Sequence, residues 1–144
     1  MKNVQKIIDL YGGVERFPAL KIENEPYMAL CIEQIGPGPH NHPQVSVAHY
    51  GEQNGDLMRD PDLVCEVYPD GRWMPVSFRN DYVGCFQEVY DENAAGETLV
   101  RPKLLKDLTT FARQWDRTIG EQGFVEAALR QRQGAITITQ PEEN

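Results

Sequence analysis

Fourteen consecutive residues, His49-Tyr50-Gly51-Glu52-Gln53-Asn54-Gly55-Asp56-Leu57-Met58-Arg59-Asp60-Pro61-Asp62, hold the densest supply of reactive side chains in this sequence. Four carboxylates, two amides, a guanidinium and an imidazole fall between two strand-like runs. Oxygen-rich loops of this kind can hold Ca²⁺ or Mg²⁺. A divalent site built here would use His49, Asp56, Asp60 and Asp62 as ligands and would suit metal-assisted hydrolysis. The spacing does not follow the EF-hand pattern, because Leu57 and Met58 interrupt the polar series. The plainer reading is a solvated connection: Asn54-Gly55 supplies a turn with positive φ, and Asp60-Pro61-Asp62 redirects the chain. If the segment serves a partner, the residues positioned to meet it are His49, Glu52, Asn54, Asp56, Arg59, Asp60 and Asp62, joined by Arg79 and Asp81.

His40-Asn41-His42 is a second cluster, with two imidazoles one residue apart. On a strand they would share one side and could share a metal. They lie instead in the Gly/Pro-rich stretch 36–43, with no third ligand nearby in sequence, and a solvated loop accounts for them. The chain has no Gly-x-Ser-x-Gly elbow, no Cys/His signature and no phosphate-binding glycine loop. His49 could act as a general base beside a carboxylate, but a histidine on an alternating strand is more commonly a packed structural residue. Cys31, Cys65 and Cys85 are widely spaced and odd in number, which suits buried free thiols better than a disulfide framework or zinc site. Trp73, Tyr82, Phe86 and Tyr90 either complete the core or form an aromatic binding patch. Nothing here calls for a cofactor.

The run His49-Tyr50, Asn54-Gly55-Asp56-Leu57-Met58, Asp60-Pro61-Asp62, followed by Trp73 and then Pro75-Val76-Ser77-Phe78-Arg79-Asn80-Asp81-Tyr82, resembles an uncharacterised bacterial family. Its members are small proteins encoded on integrative conjugative elements and phage-like islands. The His-Tyr, Gly-Asp and Asp-Pro portions also resemble the wider YqiB-like group. The resemblance covers residues 45–90, implies a mobile-element setting, and carries no assigned activity with it.

The elements that must position these residues follow from periodicity. Val4, Ile7, Ile8 and Tyr11 predict a helix over 3–11, stopped at Gly12-Gly13. Residues 12–26 read as a connector. Strands are predicted over 27–35, 44–50, 63–68, 72–79 and 82–90, with a polar loop over 51–62 and a tight reversal at Pro69-Asp70-Gly71. Pro75 requires an edge or a bulge. Leu104, Leu105, Leu108, Phe111, Ala112, Trp115 and Ile119 form one apolar stripe, and Pro102 fits its first turn. Gly120 and Gly123 should end that helix, with a short helix over 124–130, a late edge strand over 135–139, and disorder over 141–144.

The expected fold is α+β: an antiparallel meander of about five strands with N- and C-terminal helices packed on one face, in one domain over 1–134. A chain of 144 residues, 40% hydrophobic and 25% charged, can build such a core without staples. The net charge of −8 argues against phosphate-backbone binding, and no apolar run is long enough to span a bilayer. A cytoplasmic protein is expected. The leading function is a non-enzymatic accessory module that meets a protein partner through the sheet and the 49–62 segment, with a homodimer also allowed. A metal-dependent hydrolase and an acidic decoy of a host nuclease are the alternatives.

Overall fold

The computed structural model describes residues 1–139, with side-chain placement described through Gly134. Strands β1 (Leu20–Asn24), β2 (Tyr27–Pro37), β3 (Pro43–Gln53), β4 (Asp56–Val67), β5 (Trp73–Asn80) and β6 (Cys85–Glu88) form one antiparallel sheet. Their order in the sheet is their order in the chain. Strands β7 (Tyr90–Glu92) and β8 (Thr98–Val100) make a separate hairpin. Among the described residues are also three α-helices: α1 (Lys2–Leu10), α2 (Pro102–Glu121) and α3 (Phe124–Thr139). The fold is α+β, as the alternation of the sequence implies, with six meander strands rather than five.

Alternation decides which face is covered. Leu20, Ile22, Leu30, Ile32, Val45, Val47, Leu63, Cys65, Val67 and Trp73 pair across the strands and join one core with Val4, Ile7 and Ile8 of α1. Ala112, Trp115 and Ile119 of α2, and Phe124, Ala127 and Ala128 of α3, close it. The apolar stripe of α2 thus faces the sheet, with Phe111 edge-on to Phe78 at 5.3 Å. α1 begins under Asp116, whose carboxylate accepts the backbone N–H groups of Asn3 and Val4 at 3.1 Å each. A side chain from α2 therefore caps the free amides of α1, which has no cap of its own.

Several expectations give way. β1 lies where a connector was read; Leu20 and Ile22 face the core while Lys21 and Glu23 face out. The 51–62 loop is no loop: β3 and β4 continue through it as a hairpin arm. The predicted strand over 82–90 breaks into a 3-10 turn (Asp81–Val83), β6 and the start of β7. α2 runs through Gly120, where a Cβ would lie 2.6 Å from Asn3 Nδ2, so glycine there serves the α1–α2 approach and not termination. The stop falls at Gly123, with φ of 87°. Residues 135–139 continue α3 and form no edge strand. Residues 141–144 lie outside the described residues. Pro75 keeps its expected bulge, between Val64↔Ser77 and Cys65↔Pro75. Gln131 of α3 meets the outer edge of β1, donating from Nε2 to Lys21 O at 2.9 Å and accepting from Glu23 N–H at 3.3 Å. No helix among the described residues is long and apolar enough to cross a membrane.

Candidate functional site

The arm turns at Asn54 (φ 53°) and Gly55 (φ 85°), two positive values in succession that twist with the strands they join. Gln53 pairs with Asp56, Glu52 with Leu57, Gly51 with Met58 and Tyr50 with Arg59. Asp60 and Pro61 then bulge opposite His49 before Asp62 regains register with Ala48. Polar residues extend here because the arm projects past the core and is solvated along most of its length. Glu52, Asn54 and Asp56 are exposed near its tip.

The base of the arm is a charge lattice on the helix-free face. Asp81 accepts from the backbone N–H of Arg59 at 2.8 Å, from Arg59 Nη1 at 3.4 Å and from Arg79 Nε at 3.0 Å. These donors, the Arg59 backbone amide first, hold its carboxyl below the usual aspartate value. Asp62 takes a 2.6 Å bond from Ser46 Oγ and lies 3.8 Å from Arg59 Nε. Burial pushes its carboxyl up, and the Ser46 hydroxyl and the Arg59 charge only partly offset that. Asp60 accepts from Asn80 Nδ2 at 3.1 Å. The Arg79 guanidinium also stands 5.1 Å from the centre of the Phe86 ring.

His49 points the other way. It is 8% exposed, donates from Nδ1 to Ala29 O at 2.9 Å, and is wedged between Trp115 at 5.6 Å and Phe124 at 5.8 Å. The structure therefore gathers Arg59, Asp60, Asp62, Arg79 and Asp81 and leaves His49 in the core and Asp56 at the tip. His49, Asp56, Asp60 and Asp62 do not converge, and no group of three or more His, Cys, Asp or Glu among the described residues has metal-holding geometry. The aromatic set divides likewise: Trp73 is buried and donates to Gln5, whereas Tyr82 and Phe86 are exposed. Cys65 is buried, its thiol pushed up to about 12 by desolvation; Cys31 and Cys85 are half-buried.

At the other end of the sheet lies an arrangement that sequence reasoning missed. Glu66, on β4, has no solvent exposure. It accepts the backbone N–H of His40 at 2.8 Å, the backbone N–H of His42 at 3.1 Å, and His40 Nδ1–H at 2.9 Å. Burial would raise its carboxyl, but the His40 ring and the two amides outweigh it and hold the group below its usual value. The 38–42 turn thus folds down onto one carboxylate. Gly38 permits this, since a Cβ there would lie 2.7 Å from Glu66 Cδ. Tyr68 packs against both imidazoles, 4.5 Å from His42 and 6.1 Å from His40, and Tyr90 meets His40 edge-on at 5.3 Å.

A third feature runs over β1, β2 and β3 on the uncovered face. Met28, Cys31, Tyr50 and Leu57, with Lys21 and Glu23 at the rim, line a depression of about 420 Å³. It shares Lys21, Cys31 and Tyr50 with a second depression of about 280 Å³ that reaches Glu33 and Ser46. Leu57 is 72% exposed and Met28 44%.

Residues 2–125 match the family described as a domain of unknown function (DUF6908). The chain belongs to that family. No curated protein and no solved structure matches it. The matched span takes in the whole sheet, α1 and α2, and stops at the first turn of α3.

Proposed function

We propose that this protein is a non-enzymatic accessory module that grips an extended, largely apolar segment of a protein partner along the open sheet face beside the arm. The observation that carries this reading is Leu57, a leucine held on a well-formed strand and left 72% exposed beside Met28 at the mouth of the groove. Leu57 and Met28 together leave an apolar patch in water beside a depression, which is the kind of surface that marks a contact site. The charge lattice supports this role by stiffening the arm: Arg59, Asp62, Arg79 and Asp81 neutralise one another and present no bare acidic row of the kind a nucleic-acid mimic needs. Lys21, Glu23 and Glu33 at the rim suit a partner segment with charged residues of both signs flanking its apolar anchors. The resemblance of residues 45–90 to proteins of integrative conjugative elements suggests a bacterial mobile element as the setting and the cytoplasm as the compartment.

The test places a photo-crosslinking residue at Leu57 in the native host and identifies the captured protein by mass spectrometry. Leu57→Asp and Met28→Asp should each leave thermal melting within about 2 °C of wild type, as exposed sites do. They should abolish association of the purified pair. Undiminished association in both variants, or capture of a second copy of this chain alone, would show the reading to be wrong.

A further inference from the structure

A cleft of about 720 Å³ lies away from the partner groove and shares no residue with it. It opens between the start of α1 and α2, and its lining includes the nearly buried Trp73 and Ala112. Three cationic side chains line it, Lys2, Arg113 and Arg117, beside the α-amino group of Met1. All three are exposed, and none belongs to an ion pair among the described residues. Two carboxylates share the lining, but Asp116 is buried and committed to the amides of Asn3 and Val4, and Glu121 is an exposed residue at the last turn of α2.

Arg113 and Arg117 are one helical turn apart. Like charges at that spacing repel and destabilise a helix by a few tenths of a kcal/mol. A chain with net charge −8 has ample acid to pair them, yet both line one cavity together with Lys2 of α1. Two planar guanidinium forks and a point charge offer more donors than the two oxygens of a carboxylate engage, and suit the three terminal oxygens of a phosphate monoester. The volume falls within the range of small-molecule sites and leaves room beside the cations for an organic body attached to the anion.

We propose that this cleft binds a phosphate monoester of mononucleotide size, its phosphoryl group held by Arg113, Arg117 and Lys2 and its organic part occupying the rest of the cleft.

Isothermal titration and thermal melting of the full chain with adenosine monophosphate, and separately with inorganic phosphate, test it. The monophosphate should bind saturably, raise the melting temperature and quench part of the tryptophan fluorescence, with inorganic phosphate binding more weakly. Arg113→Gln and Arg117→Gln should each weaken the ester about tenfold, as loss of a bond to a charged group does. The double variant should bind neither probe. Without ligand it should melt at or above the wild-type temperature, because the repulsion is gone, so its loss of binding cannot be a loss of folding. Arg130→Gln, outside the cleft, should change nothing. No saturable binding at millimolar ligand, binding that survives in the double variant, or equal affinity for both probes would overturn the assignment.

Discussion

The two acidic regions on this sheet solve the same problem in opposite ways. At the base of the arm, Asp62 and Asp81 stand among Arg59 and Arg79, with partial exposure and several exchangeable partners. At the other end, Glu66 is completely buried and is satisfied mainly by backbone amides of one tight turn plus a single imidazole. Exposed ion pairs contribute little each, because water and salt compete for both partners. A buried carboxylate has no competitor, so every lost bond leaves an unmet donor. The arm lattice therefore tolerates change, and the Glu66 turn does not.

The largest effect that can break this contrast is at Glu66. Glu66→Ala strands two backbone amides in a space that glycine has already closed down, and it should cost about 3 kcal/mol in urea denaturation. A loss under 1 kcal/mol would mean that water replaces the carboxylate freely and that the two regions are alike.

The pH dependence of stability sharpens it further, since the two carboxyls are shifted in opposite directions. Glu66 is held below its unfolded value of 4.5, so its contribution is present above pH 4.5 and is lost as pH falls through the folded value. Asp62 is held above its unfolded value of 3.8, so folding favours its protonated form; that contribution is present below pH 3.8 and is lost as pH rises through the folded value. Glu66→Gln should flatten the acid-side fall of stability between pH 5 and pH 3. Asp62→Asn should steepen it and should retain or raise stability at pH 7. Equilibrium unfolding across this range reads both, and the same slope in the two variants would refute the assignment.

The smallest effect belongs to the arm. Asp81→Ala should lower the melting temperature slightly at low salt and less at 0.5 M NaCl, because the charge terms it removes are already screened there. A salt-independent loss would show that the bond from the Arg59 backbone amide, and not the lattice of charges, holds the arm.

Much of the sheet was legible because its buried positions alternate: Val45, Val47 and Leu63, Cys65 mark core positions two apart. The arm was not, because strands solvated on both faces need no apolar period. Gly51 to Asp62 read as loop for want of the core that ordinarily imposes a pattern, although its turn at Asn54-Gly55 was visible. Strand β1 was hidden by its length and by the prolines at 18 and 26. The 135–139 run, Ala-Ile-Thr-Ile-Thr, has β-branched residues that favour a strand in isolation, and helix α3 overrides them by continuing its turns. At the candidate site, Arg59 and Asp62 meet Arg79 and Asp81 because β4 begins early and pairs Asp62 with Arg79, a register that the loop reading of 51–62 did not contain. Glu66 was silent, because Val-Cys-Glu-Val reads as an ordinary in-out alternation until the 38–42 turn is seen lying on top of it.

The amide of Gln131 has a consequence for how copies of this chain meet. By taking Lys21 O and Glu23 N–H, it occupies the two bonding points that an incoming strand would use first. A glutamine on α3, beyond the matched family span, thus acts as a one-residue stand-in for a further strand at the β1 edge. Cleavage that removed Gln131 with the end of α3 would uncover those two groups and leave that edge open to an incoming strand.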